Sequence, residues 1–385
     1  MLNPNFIERS ITRRRLLQRG TIGVCGLAGG AFSGKLVCAD EKPEVDFSIL
    51  SSARWKEIEE TVDRGLEWMA GQQKPTGGYS YSDLGEPGIS GLCLLAYLSR
   101  GHLPGEGKYR SVLSKCLEYI LGCQSRNGML SKGMNSQAAN YNHGIGSLAL
   151  SETYSLVDPP DAERLKKTIE RCVEFAAQRL SVPKNHRDDE GGWRYLRRHA
   201  ESDSDLSITS WHLMFLRSAR NAGFEIDGKL IEEGLEYVKR VFDERRGTFR
   251  YEIHTDDPGY NHTRAMAGAG ILSLAMTGEH HSKLARIAAD NLLKTPFMQY
   301  DHPVSGEKHQ CYSAFYCSQA MFHMGGDYWK KFYPQLSSTL IKSQKSDGSW
   351  RPVSGDDARY GLPYIAALTI LALTAPFQLL PIFQR

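Results

Sequence analysis

A turn that returns five times at a near-constant interval constrains this chain more than any other feature. Gln344-Lys345-Ser346-Asp347-Gly348-Ser349-Trp350 is a polar loop with Gly at its tip, set between the apolar stretches Tyr333–Ile341 and Gly361–Leu373. Gly supplies the tight bend, and Trp offers a broad apolar face for packing on a neighbouring element. The same order of apolar stretch, Gly, aromatic and apolar stretch returns at Gln73 to Gly77-Gly78-Tyr79, Gly191-Gly192-Trp193 and Gly247-Thr248-Phe249. Gln124 to Gly128-Met129 is a weaker copy, and Tyr300 marks one that lacks the Gly. The anchors 79, 129, 193, 249, 300 and 350 lie 50, 64, 56, 51 and 50 residues apart. A period of this size is the mark of stacked supersecondary units. Each unit has room for two helices of about 12–16 residues with loops.

A second mark runs in phase with the first. Leu66-Glu67-Trp68, Leu117-Glu118-Tyr119, Val173-Glu174-Phe175 and Leu235-Glu236-Tyr237 place apolar, acid and aromatic side by side before four of the turns. The first helix of each pair is amphipathic, as in Ile58, Val62, Leu66 and Met69. The second is apolar nearly all round: Ile89–Leu98, Tyr141–Tyr154, Ile208–Ala222, Ala265–Met276, Ala314–Met324 and Tyr364–Leu373. A helix without a polar face must be covered on every side. The pattern therefore predicts an all-α fold with the second helices inside.

The turn Gln344–Trp350 resembles the Q-x-x-D-G-x-W repeat of the prenyltransferase and squalene-cyclase superfamily. Tyr141-Asn142-His143-Gly144-Ile145, Gly191-Gly192-Trp193-Arg194-Tyr195, Ser207-Ile208-Thr209-Ser210-Trp211, and Gln319-Ala320-Met321 through Gly325-Gly326-Asp327-Tyr328-Trp329 are similar to an exported bacterial group with this repeat and no established reaction. The resemblance covers roughly residues 55–380. It implies an α6/α6 toroid, with six inner helices around a cavity and six outer ones, and an enzyme of the terpene-cyclase or prenyltransferase kind if the chain is catalytic.

Residues 1–39 read as a leader. Thr12-Arg13-Arg14-Arg15-Leu16-Leu17-Gln18 resembles the twin-arginine export signal, ahead of the weakly apolar Gly20–Phe32 and the small-residue site Val37-Cys38-Ala39. Lipidation at Cys38 is disfavoured by the bulk of Val37. The expectation is export to the periplasm or the outer face of the cytoplasmic membrane, then a linker over residues 40–54 and the toroid over residues 55–385. The whole chain carries a net charge of +3; the leader holds six basic residues against Glu8, so the remainder falls to about −2. That balance leaves no electrostatic footprint for nucleic acid. Six cysteines follow the leader without a C-x-x-C pair, each among apolar helical residues, and read as buried thiols. The uncharged stretch Ile365–Ile382 is broken by Pro376 and Pro381 and reads as a buried helix with a docked tail.

The chemistry implied by the resemblance is only partly present. Cyclases of the superfamily protonate an alkene with D-x-D-D-T-[AS], where clustered carboxylates hold one proton for transfer. At the matching place stands Ser202-Asp203-Ser204-Asp205-Leu206-Ser207, so Asp205 is the candidate acid, while the stretch reads more readily as a cap, by Asp205 or Ser207, of the helix beginning near Ile208. Asp188-Asp189-Glu190 and Asp256-Asp257-Pro258 lack the last acid of a diphosphate-binding D-D-x-x-D. Neither D-x-C for zinc nor C-G-E-Q for a thioester occurs. His309-Gln310-Cys311, with His302 and Cys317, has no family zinc spacing, and no metal or cofactor is expected. His143, Trp211, Arg264, Tyr312 and Tyr316, near the starts of inner helices, are the candidate ligand-binding residues. The expected ligand is an isoprenoid or other apolar small molecule; a glycan-active α/α barrel and a non-catalytic scaffold are the alternatives.

Overall fold

The computed structural model describes residues 45–80, 83–132, 137–197, 201–255, 258–301, 307 and 309–385. The stretch expected as a leader, with Arg13 and Arg14, lies outside the described residues, as do Asp256, Asp257 and His302. Helix α1, Ser52–Gly71, shows how the amphipathic pattern folds. Ser51 caps it by accepting the Arg54 amide at 3.3 Å, and Ile58, Val62, Leu66 and Met69 form a wholly buried stripe. Its start reaches into the stretch expected as linker. Phe47 packs edge-on against Trp55, whose indole donates to the Phe47 carbonyl at 2.8 Å.

The remaining outer helices are α3 Arg110–Gly122, α5 Pro159–Leu180, α7 Gly228–Arg240, α9 Lys283–Lys294 and α11 Gly326–Lys342. Inner helices are α2 Gly88–Ser99, α4 Ala139–Thr153, α6 Leu206–Asn221, α8 Arg264–Ala275, α10 Gln310–Met324 and α12 Leu362–Leu373. Every residue of α2 is buried, as the absence of a polar face requires. Successive inner helices pack side by side, and α12 closes on α2. The fold is an α/α toroid. After α12 the chain turns through Ala375–Phe377 and Pro381–Phe383 and stays packed, with Phe383 against Phe315. No helix among the described residues is long and apolar enough to cross a membrane.

The recurrent turn is the fastener between units. In the last one, the Gln344 side-chain amide donates to Gly348 O at 3.0 Å and to Thr61 O of α1 at 2.8 Å. Gln73 repeats this with Gly77 O and Val112 O, and Gln124 with Gly128 O and Thr168 O. Gly348 has φ +93°, and a Cβ there would stand 2.5 Å from the Arg64 carbonyl, so Gly is required twice over. Trp350 fills the space above Gly65, where a Cβ would meet its ring at 2.9 Å, and donates its indole N–H to Leu340 O. Trp193 does the same for its own unit through Ala176 O. In the degenerate fifth turn the fastening is done by Thr339, which donates to Phe297 O at 2.7 Å.

Candidate functional site

The first turns of all six inner helices surround a cavity of about 350 Å³ at one end of the ring. Aliphatic side chains line it in part, with Ile89 and Leu92 from α2, Ile145 from α4 and Met266 from α8. Most of the lining is aromatic and carries hydroxyls, a tyrosine wall of Tyr141, Tyr195, Tyr251, Tyr260, Tyr312, Tyr360 and Tyr364. Ser207, Asn142, Glu307 and His309 add polar atoms at the rim. Outside the lining, Trp211 stacks on Phe315 at 5.4 Å with the rings nearly parallel and meets Tyr316 edge-on.

Hydrogen bonds hold the tyrosine wall in place. Tyr312 Oη takes the Trp211 indole N–H at 2.7 Å and lies 2.6 Å from Ser207 Oγ. The Tyr195 and Tyr251 hydroxyls are 3.1 Å apart, and both rings flank the Arg194 guanidinium, at 5.0 and 5.4 Å. Arg194 is buried in an ion pair with Glu252. A cation stacked between two rings fixes their tilt as well as neutralising the carboxylate.

Asp205 lies behind this wall rather than on it. One oxygen caps α6 by accepting the Ile208 amide at 2.7 Å, and the other is buried with no hydrogen bond among the described residues. Desolvation raises its pKa to about 6, against the opposing pull of Arg194, the Ile208 amide and the Tyr251 hydroxyl. Asp203 points elsewhere, accepting the Asn185 amide at 2.8 Å. Asp189 accepts the Asp203 amide at 2.7 Å and the Ser202 hydroxyl at 3.2 Å, which pins this loop together. The two acids of the cyclase-like stretch therefore stand in separate hydrogen-bond sets.

Of the residues singled out from sequence, Tyr312 lines the cavity, and Trp211 and Tyr316 pack against Tyr312 outside the lining. His143 and Arg264 stand outside the lining, each fully engaged. His143 accepts the Leu130 amide at its Nδ1 (3.1 Å) and faces the Cys172 carbonyl with Nε2 (3.1 Å), which places its proton on Nε2. Burial lowers its pKa to about 3. Arg264 pairs with Glu307, donates to Gln310 Oε1 at 2.9 Å and lies 3.7 Å over the Phe297 ring. Cys311 and Cys317 are buried thiols; burial pushes Cys311 up to about 12, and Cys317 donates to the Arg264 carbonyl. No group of three His, Cys, Asp or Glu among the described residues is placed to hold a metal ion.

Sequence reading missed most of the tyrosine wall, although a signal was present. Trp193-Arg194-Tyr195 and Phe249-Arg250-Tyr251 carry a Tyr two positions beyond the turn aromatic. In extended chain a spacing of two returns to the same side. The anchor rings Trp193 and Phe249 are buried, and the Tyr beyond each lines the cavity. A second feature is tertiary: His309 at the rim has its Nδ1 3.7 Å from the buried Asp357 carboxylate, 48 positions along the chain. Both Asp357 oxygens lack a hydrogen bond among the described residues.

No protein-family model matches this chain, and no curated protein sequence matches it. Solved structures do resemble it. A cellobiose 2-epimerase from Bacillus thermoamylovorans superposes with a TM-score of 0.62 at 12% identity, covering 84% of this chain and 99% of the epimerase. A D-mannose isomerase gives 0.61 at 12% identity over 84% of this chain and 97% of its own. A type II terpene cyclase from Scytonema, bound to geranylgeranyl dihydroxybenzoate, gives 0.55 at 10% identity over 86% and 100%. At such identity the likeness is one of fold, and enzymes of sugar and of terpene chemistry share it.

Proposed function

We propose that the central cavity binds a compact, largely apolar ligand of the isoprenoid class, with its oxygen-bearing end among the tyrosine hydroxyls. The observation that carries this reading is a lining of aliphatic side chains and hydroxyl-bearing aromatic rings that includes a single carboxylate, Glu307, among the described residues. The volume lies at the small end of the range for ligand cavities, which suits a short chain better than a squalene-sized one. Proton-initiated cyclisation is disfavoured, because Asp205 is committed to a cap behind the wall and Asp203 is turned away. Glycoside cleavage needs two carboxyl groups flanking the bond. Here Glu307 is the one carboxylate among the described lining residues, and it is held by Arg264 and Ser313.

The tyrosine hydroxyls with Asn142 and Ser207 favour a second reading, a small saccharide. The two separate in one titration that follows tryptophan fluorescence, since Trp211 is hydrogen-bonded to the lining Tyr312. Geraniol and farnesol are expected to bind and perturb the emission, and mannose and cellobiose to leave it unchanged. Response to the sugars alone, or to none of the four, would overturn the isoprenoid reading.

A further inference from the structure

At the opposite end of the ring, the C-terminal ends of α6, α8 and α10 and the docked tail enclose a second cavity of about 470 Å³. Its polar lining is basic or neutral and includes the amide side chains of Asn221 and Gln384 and the His281 imidazole. Arg217 and Arg385 contribute guanidinium groups, His280 and His323 contribute imidazoles, and no Asp or Glu side chain lines it. Arg385 is partly engaged, donating to Phe322 O at 3.1 Å and lying 5.3 Å over the Phe322 ring. Arg217 has no hydrogen-bond or ion-pair partner among the described residues. The His323 side chain is only 6% exposed, and its Nε2 is buried without a partner; His280 Nδ1 is in the same position. Met276, Met324 and Ile382 supply an apolar floor.

Unpaired buried polar atoms are rare in folded proteins and call for a cause. Positive side chains at helix C-terminal ends can serve the helix dipole, and Arg385 does so through the Phe322 carbonyl. That explanation does not reach Arg217, which touches no carbonyl, nor His323, whose free nitrogen lines the cavity. Guanidinium groups gathered without a carboxylate complement an acceptor-rich anion. The cavity is larger than a bare oxyanion needs, and its floor is apolar.

We infer that this second cavity is a binding site for an organic anion, a carboxylate or phosphate head on a short apolar body, seated on Arg217 and His323. Calorimetric titration of the full chain with octanoate, octyl phosphate, inorganic phosphate and octanol tests it. At least one of the two amphiphilic anions is expected to bind more tightly than both octanol and inorganic phosphate. The preference between octanoate and octyl phosphate identifies the head. Arg217→Gln is expected to weaken that binding roughly tenfold to a hundredfold, the loss of one charge-assisted contact. Arg217→Lys should recover part of it, and farnesol binding at the far end should persist in both variants. Binding of neither amphiphilic anion more tightly than octanol and inorganic phosphate, or unchanged affinity in a folded Arg217→Gln protein, would overturn the assignment.

Discussion

Asp205 shows how one side chain carries opposing demands. Its cap closes α6 at the cavity, and a cap of this kind contributes on the order of 1 kcal/mol. Its charge, however, is sealed from water, and the raised pKa measures that cost. In the unfolded chain the group titrates near 3.9. Below that value both states are protonated and the penalty is absent; as pH rises through about 6, the folded state must ionise a buried acid and loses stability. Asp205→Asn keeps the acceptor for the Ile208 amide and removes the titration. The variant's stability relative to wild type is therefore expected to improve by up to about 3 kcal/mol between pH 4 and pH 7. Buried His143 and His323, both lowered to about 3, pull the other way, losing stability as pH falls below about 6.5. They titrate alike in both proteins and cancel in the difference. Urea midpoints at pH 4, 5.5 and 7 give the result, and a difference independent of pH would sink the argument.

Among the elements, the seam between the last turn and α1 carries the closure of the ring. Gln344 and Trp350 belong to the sixth unit, while Thr61, Arg64 and Gly65 belong to the first. Trp350→Ala empties a fully buried site and is expected to cost roughly 3–5 kcal/mol. Gln344→Ala removes two donated bonds and the acceptor for Arg64, at about 1–2 kcal/mol. Because the seam joins distant ends of the chain, Trp350→Ala should raise amide exchange in α1 as well as in α11 and α12. Protection of α1 equal to wild type would mean that closure rests on the inner helices alone.

At the scale of the molecule, a ring whose last helix packs on its first has no free terminal unit to fray, and one cooperative transition is expected. We propose that residues 1–39 are a twin-arginine leader, a route that carries folded proteins. On that proposal, replacing Arg13, Arg14 and Arg15 by Lys holds the folded toroid in the cytoplasm, scored by cell fractionation; unchanged export would exclude that route.

The repeat spacing, the alternation of one-faced and all-round apolar helices and the Gly-aromatic turns were legible in the chain. All are local patterns, set by helix period and turn chemistry within a unit. The inner helices accordingly begin and end within a few residues of where the pattern puts them; the largest shift is α10, which starts at Gln310 rather than Ala314, residues 310–313 extending the helix ahead of the expected apolar run. The Asp205 cap was equally readable, being a contact across three residues. The cavity was not. Which polar side chain faces it depends on how six helix starts are rotated about a common axis, and no single segment encodes that. His143 and Arg264 occupy positions like that of Tyr312 in the chain, yet the carbonyl of Cys172 and the carboxylate of Glu307 claim them first. The sequence alone thus determined the units and their stacking, because each follows from the hydrophobic period of one helix pair. Only the tertiary structure decided the two cavities, because burial and pairing across the ring settle which polar groups stay free for a ligand.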